Sequence, residues 1–230
     1  MKNSENSKST VGRRDAIKGV AATGLVAATG AHRFVHSAEN HTAGRDAIRR
    51  ENAEKGTRDW MLTKTRQLPG KINKILNNGR CQEIEGYCSA NSLRAGETLK
   101  IMVSTNPESN FKLEIFRTGY YNGDGARRVK TFESIKGITQ PDPPVGENYV
   151  RECQWEPSVE FEIPKNWLSG VYLGKLTAEK ENIQSYVIFI VRDDRPCDLL
   201  FQCSELTWTA YNRWPADFSI YTQHDGRPSS

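Results

Sequence analysis

The sequence predicts a mainly β protein: a sandwich of short antiparallel strands, with a helical arm before it and the first strand–helix unit of an α/β domain after it. Three observations predict it. From Ile84 onward, apolar residues fall at alternate positions, which puts one face of each strand in a core and the other in water. Turn residues separate those runs at Arg94-Ala95-Gly96-Glu97, Asn106-Pro107 and Ser169-Gly170. After Asp193-Asp194-Arg195-Pro196 the alternation stops, and a fully apolar run leads into helical spacing.

Taken in order, residues 1–38 form a leader, considered below. Residues 39–83 read as an arm. Ala43 to Leu62 has helical character, weakened by Gly44 and Gly56, and Trp60 is its natural anchor. A Pro69-Gly70 turn and a short helix, Lys71 to Leu76, complete it. The sandwich occupies 84–194. Its strands are LKIMVS (99–104), FKLEIFR (111–117), VEFEI (159–163), GVYLGKL (170–176) and SYVIFIVRD (185–193). Several short strands with such turns are of immunoglobulin-like type. A long insertion, 118–156, rich in Gly, Pro and polar groups, reads as a functional loop. Residues 195–230 open with CDLLFQC (197–203), expected as a buried strand, and continue into a helix that Ser204 is placed to cap. One strand and one helix cannot cover both faces of a parallel sheet. This α/β unit is therefore expected to be the start of an incomplete domain, the rest lost by truncation or supplied from elsewhere.

The 230 residues carry 32 Lys+Arg and 28 Asp+Glu, a formal charge of +4. Position decides what this means. Residues 1–38 hold six basic and two acidic side chains, and the other 192 residues are balanced at 26 of each. A neutral body without a basic tract excludes a nucleic-acid partner. No apolar run reaches the roughly 18–20 residues of a membrane span, so no stable span is expected.

The basic surplus sits in an ordered segment. A polar stretch precedes Arg13-Arg14-Asp15-Ala16-Ile17-Lys18, and a weakly apolar run rich in Gly and Ala follows at 19–31. This is the layout of an export signal. The Arg13-Arg14 pair resembles a twin-arginine signal. Cleavage fits after Ala31 or after Ala38, and the expected location is periplasmic or extracellular. A plain amphipathic helix is disfavoured, because the Gly-rich run has poor helix propensity.

Export permits disulfides. Among Cys81, Cys88, Cys153, Cys197 and Cys203, a bridge from Cys88 to either Cys81 or Cys153 is open to the chain, and spacing does not choose. No C-x-x-C pair exists, and past the leader only His41 and His224 remain, so a His-rich metal site is excluded. Cys203 lacks the Gly-rich elbow of a nucleophile and reads as a buried, inert thiol.

Several blocks of the chain resemble one family. They are KGTRDWMLTKTR (55–66), IEGYCSANSLRAGETLKIMVSTNP (84–107), FKLEIFRTGYYNGDGAR (111–127), TQPDPPVGENYVRECQWEPSVEFEIP (139–164), NWLSGVYLGKL (166–176), SYVIFIVRDD (185–194) and LLFQCSELTWTAYNRW (199–214). Together they look like the N,N-dimethylformamidase large (beta) subunit family. The W-x-S-G-V-Y and T-W-x-A-Y-N-x-W blocks are the most specific. The resemblance implies that the α/β unit begins a glutamine amidotransferase-like domain. It implies hydrolysis of a small amide at its C–N bond, with homo- or hetero-oligomeric assembly left open. It also implies a mononuclear iron held by two Tyr phenolates and one Glu carboxylate.

Such a site is chemically coherent. Phenolate and carboxylate are hard oxygen donors suited to ferric iron. Three ligands leave room for a water that the metal acidifies and for the amide carbonyl. No His or Cys nucleophile is required. By the resemblance, the two metal-binding tyrosines are Tyr172 in SGVYLGKL and Tyr211 in TWTAYNRW. Each has a plainer reading as a packed aromatic. Trp208 and Asn212 are candidate substrate-binding residues, and Trp214 a further wall, with core packing as their plainer role. The Glu ligand is expected beyond Ser230, so catalysis by this chain alone is not expected. Tyr120, Tyr121, Asp124 and Arg127 of the insertion are candidates to contact substrate or a neighbouring subunit, or to be merely solvated. The competing function is a non-enzymatic binding or assembly module, in which the sandwich recognises a partner or glycan.

Overall fold

The computed structural model describes residues 46–66, 80–146, 151–195, 197, 199–212 and 214–215. The leader with Arg13 and Arg14, the short helix expected at 71–76, His41 and His224 lie outside the described residues.

Eight strands form two sheets among the described residues. In chain order they are β1 (Glu85–Cys88), β2 (Ser92–Arg94), β3 (Thr98–Ser104), β4 (Phe111–Thr118), β5 (Ala126–Ile135), β6 (Pro157–Glu162), β7 (Gly170–Ala178) and β8 (Gln184–Arg192). One sheet has the order β1–β3–β6, the other β2–β8–β7–β4–β5. All pairings are antiparallel except β2 with β8. The alternating residues do what their period requires. Leu99, Ile101 and Val103 of β3 meet Leu113 and Ile115 of β4, Leu176 of β7, and Val187 and Phe189 of β8 in one core. Each such side chain contributes about 1.5–3 kcal/mol by leaving water. The result is the immunoglobulin-like sandwich.

Two strands depart from strict alternation. On β3, Met102 and Ser104 are buried on the outer face as well. The insertion folds back over them: Gln140 N donates to Ser104 Oγ at 3.0 Å, and Thr105 N to the Ile138 carbonyl at 2.9 Å. The insertion is therefore not one loop. Its first part is β5, reached from β4 through a tight 3-10 turn at Tyr121–Gly123. The sequence hid β5 because ARRVKTFESI mixes charge with apolar groups, and because two register shifts against β4 break the period. As an edge strand it carries charges that discourage pairing with another chain.

A helix, α1, covers 46–53 among the described residues, shorter than the helical stretch expected to reach Leu62. Residues 54–66 instead run over the outer face of the five-stranded sheet. That face carries Glu114 on β4, Lys175 on β7 and Tyr186 on β8 in register with one another. The arm supplies their partners. Lys175 Nζ donates to the carbonyls of Asp59 at 2.7 Å and Met61 at 3.1 Å. The Tyr186 hydroxyl donates to the Trp60 carbonyl, and Gln184 Oε1 accepts from Thr63 N at 2.8 Å. Trp60 anchors the arm, its indole N–H donating to the Asp124 carbonyl at 2.9 Å. Its ring lies on Gly125, which has φ of +87° and where a Cβ would come within 3.1 Å of that ring.

α1 brings Glu51 to the β4–β5 turn. Glu51 Oε1 accepts from the Tyr121 hydroxyl at 2.7 Å, and from Arg127 Nε at 2.8 Å and Nη2 at 2.7 Å. Tyr121 is thus wholly buried, whereas Tyr120 is exposed.

After the sandwich, residues 199–203 do not form the expected strand. Leu199, Leu200 and Phe201 are 89%, 87% and 83% exposed. No strand pairs with them among the described residues, and a lone apolar strand has no sheet to join. The helix does form, as α2 (Glu205–Tyr211); the Ser204 side chain does not cap it, though the Ser204 carbonyl accepts from Trp208 N at 3.0 Å. Trp214 then returns to the sandwich. Its indole N–H donates to Glu85 Oε2 at 2.7 Å, its ring stands 5.1 Å from the Arg80 guanidinium carbon, and it meets Trp155 edge-on at 5.5 Å. Arg80 itself pairs with Glu85 at 2.8 Å and with Asp142 at 2.6 Å.

Arg80 and Glu85 are nearly buried, while Asp142 is half exposed. Arg80→Met should therefore cost about 3 kcal/mol, since it strands a buried carboxylate. Asp142→Asn should cost about 1 kcal/mol or less, as for an exposed pair. Urea unfolding followed by Trp fluorescence measures both, and equal losses would contradict the burial argument. Glu51 gives a pH signature. Burial alone would raise its carboxyl, but hydrogen bonds from Tyr121 and Arg127, with the charges of Arg127 and Arg117, hold it below the ordinary 4.5. A carboxyl depressed on folding stabilises the fold above its unfolded pKa, and that contribution is lost as pH falls through the folded value. Unfolding free energy should thus decline below about pH 4.5, and Glu51→Gln should flatten part of the decline.

Candidate functional site

α2 sets Glu205, Trp208, Thr209 and Asn212 at i, i+3, i+4 and i+7, which is one face of a helix. That face and Tyr211 look onto β8. Between them lies a cleft of about 340 Å³, its floor made by Ile188, Phe189 and Ile190 and one side by Asn91. Three of the residues singled out in the sequence, Trp208, Tyr211 and Asn212, thus line one cavity. Trp208 is 48% and Tyr211 65% exposed. Asn212 Oδ1 accepts from Trp214 N at 3.0 Å, which closes the helix and leaves its amide N–H groups as donors. Glu205 was not singled out by sequence reasoning. One of its carboxylate oxygens, Oε2, is buried with no hydrogen-bond partner among the described residues. The signal that could have found it is the helical spacing to Trp208, Thr209 and Asn212.

Tyr172 lies elsewhere. It belongs to the core on β7, its ring stacked between Trp167 at 4.9 Å and Phe189 at 5.4 Å. Its hydroxyl donates to the Leu168 carbonyl at 2.7 Å, so it needs its proton. Burial pushes its phenol further up, well above the usual range. It lines a different cavity from Tyr211. As placed, Tyr172 does not fit a phenolate ligand, while Tyr211 and Glu205 are oxygen donors sharing one cleft. No group of three or more His, Cys, Asp or Glu side chains converges among the described residues.

The thiols add no nucleophile. All five cysteines are unbridged. Burial pushes the Cys88 thiol up to about 12, and burial with the charges of Glu85 and Asp142 pushes Cys153 up to about 11. Cys203 is half-buried, and burial raises its thiol also. No helix among the described residues is long and apolar enough to cross a membrane.

An immunoglobulin-like sandwich carrying a helix-walled cleft is the class of protein that this arrangement defines. Residues 112–230 match the family model described as N,N-dimethylformamidase beta subunit-like, C-terminal. The chain belongs to that family and is a dimethylformamidase-related protein. No curated protein matches it. Among solved structures it is similar to the PKD domain of an M14-like peptidase from a Thermoplasmatales archaeon. That likeness has 14% identity and a TM-score of 0.24, over 47% of this chain and 87% of that one.

α2 contains no buried residue. Substitutions on it should therefore leave the sandwich intact: Trp208→Ala is expected to change unfolding free energy by less than about 0.5 kcal/mol. A larger loss in urea unfolding would mean that the helix is part of the core.

Proposed function

We propose that the protein is an exported, iron-assisted hydrolase of small amides, with the cleft between α2 and β8 as its substrate site. Family membership across 112–230 is the observation that carries this reading. The cleft's chemistry supports it. Tyr211 and Glu205 would hold the metal: both offer hard oxygen donors, and Glu205 Oε2, without a partner among the described residues, is an acceptor in need of a cation. Iron bound there would supply Lewis acidity and a lowered pKa for bound water. The residues of this chain do the remaining work. Trp208 and Ile188 form apolar walls that receive an N-alkyl group and keep bulk water from it. Asn212, with its N–H groups as donors, holds the amide carbonyl in place. Arg13-Arg14 directs the chain out of the cytoplasm after folding.

The experiment uses the full chain, recovered from outside the cytoplasm and supplied with iron. Wild type should hold iron, show a phenolate-to-iron charge-transfer band and release amine from dimethylformamide. Tyr211→Phe should abolish the band and lower iron occupancy by about tenfold or more, and Glu205→Gln should weaken iron binding to a similar degree. A folded wild type that takes up no iron, or a band that survives in Tyr211→Phe, would sink the assignment.

A further inference from the structure

A second, smaller cavity lies where α1, β4, β5 and β7 come together. It measures about 130 Å³ and is lined by Glu51, Arg117, Arg127, Val129, Trp167 and Leu168, with the exposed Asn166 at its rim. We propose that it binds a small monocarboxylate, received on the Nε–H of Arg117.

Three observations lead there. Arg117 is only 4% exposed, yet its hydrogen bonds are incomplete. Its Nη1 donates to the Tyr121 hydroxyl at 3.0 Å and to the Thr118 carbonyl at 3.4 Å, and its Nη2 to the Ser169 carbonyl at 2.7 Å. Its Nε is buried with no acceptor among the described residues. A buried donor on a cation is costly to leave unmade, so an arriving oxygen gains what the fold forgoes. Gly170 permits the pose, because a Cβ there would stand 3.2 Å from that Nε.

Charge sets the ligand's valence. Two guanidiniums face one carboxylate, a formal excess of one positive charge. All three hydrogen bonds to Glu51 fall on Oε1, from Tyr121 and Arg127, and none comes from Arg117. A monoanion balances the excess. A dianion would crowd Glu51 with charge of its own sign. Size and walls set the rest. The volume is that of about four waters at roughly 30 Å³ each, enough for an acid of a few carbons. Arginine recognises the planar carboxylate, and Val129, Trp167 and Leu168 face its short alkyl end.

Titration calorimetry on the full chain at fixed ionic strength tests this with sodium acetate, sodium chloride and sodium phosphate. Acetate should bind saturably at one site, at least about tenfold more tightly than chloride or phosphate, as a charge-assisted bond with matched geometry requires. Asn166→Asp adds a like charge at the rim without touching the core. It should weaken acetate by about tenfold with unchanged thermal unfolding. Arg117→Lys, which keeps the charge and removes Nε–H, should do the same to acetate. Tyr211→Phe should leave acetate binding as in wild type, which separates this cavity from the α2 cleft. Acetate no tighter than chloride, phosphate as tight as acetate, or undiminished acetate binding in Asn166→Asp would overturn the proposal.

Discussion

Glu114, Arg117 and Lys175 are buried, at 5%, 4% and 7% exposure, in a five-stranded sheet whose apolar side already faces the core. Burying a charge costs several kcal/mol unless it is paired and hydrogen-bonded. A two-layer sandwich would leave that outer face in water, where the row would need nothing. Here the arm lies over it, and the row must be satisfied from the arm or not at all. Lys175 is the sharpest case. Burial lowers its pKa, although Glu114 and Asp59 pull it upward. Its two acceptors are backbone carbonyls of the arm. The arm is therefore a third layer of the fold, and residues 54–66 are as much a part of the domain as the strands beneath them.

Two charged clamps extend this logic to the ends of the domain. Glu51 ties α1 to the β4–β5 turn, and Arg80 ties β1, the insertion and Trp214 together. Each draws a segment remote in sequence onto the sandwich. Each also leaves space beside it, because side chains that meet at charged heads do not interdigitate like a core. The aromatic stack Trp167–Tyr172–Phe189 connects two of these spaces. Trp167 and Tyr172 line the arginine cavity, and Phe189 lines the α2 cleft. A rigid run of rings therefore forms a wall of both, and ligands in the two cavities would share it.

The strands that the sequence revealed are those with one clean apolar face: β3, β4, β6, β7 and β8. β1, β2 and β5 escaped notice for a common reason. β1 and β2 are four and three residues long, too short for a period to register. β5 is polar on an edge, and its partner residues slip twice in register. The arm was legible as an attachment, through Trp60, but not as a layer. Nothing local in Glu114 or Lys175 says that a surface-like position will be covered by a segment so remote in the chain. The apolar run at 199–203 misled in the opposite direction. Its composition demands burial, yet composition cannot supply the neighbouring strand that burial needs. For the site, motif and helical spacing reached Trp208, Tyr211 and Asn212 together. Glu51 and Arg117 could not be found this way, because their meeting depends on the arm's path.

The two tyrosines show why a motif match and a chemical role must be argued separately. Tyr172 and Tyr211 both sit in specific sequence blocks. The sandwich core already engages every part of Tyr172, with a ring against its ring on two sides and its phenol proton held by the Leu168 carbonyl. Converting it to a phenolate would remove that bond and place a charge among apolar rings, against both desolvation and packing. Tyr211 is not committed to the core in this way. It stands on a helix without a buried residue, beside a carboxylate oxygen that no described residue satisfies. The sandwich can therefore stay rigid while α2 exchanges partners, and chemistry that needs an ionised oxygen belongs on the helix rather than in the core.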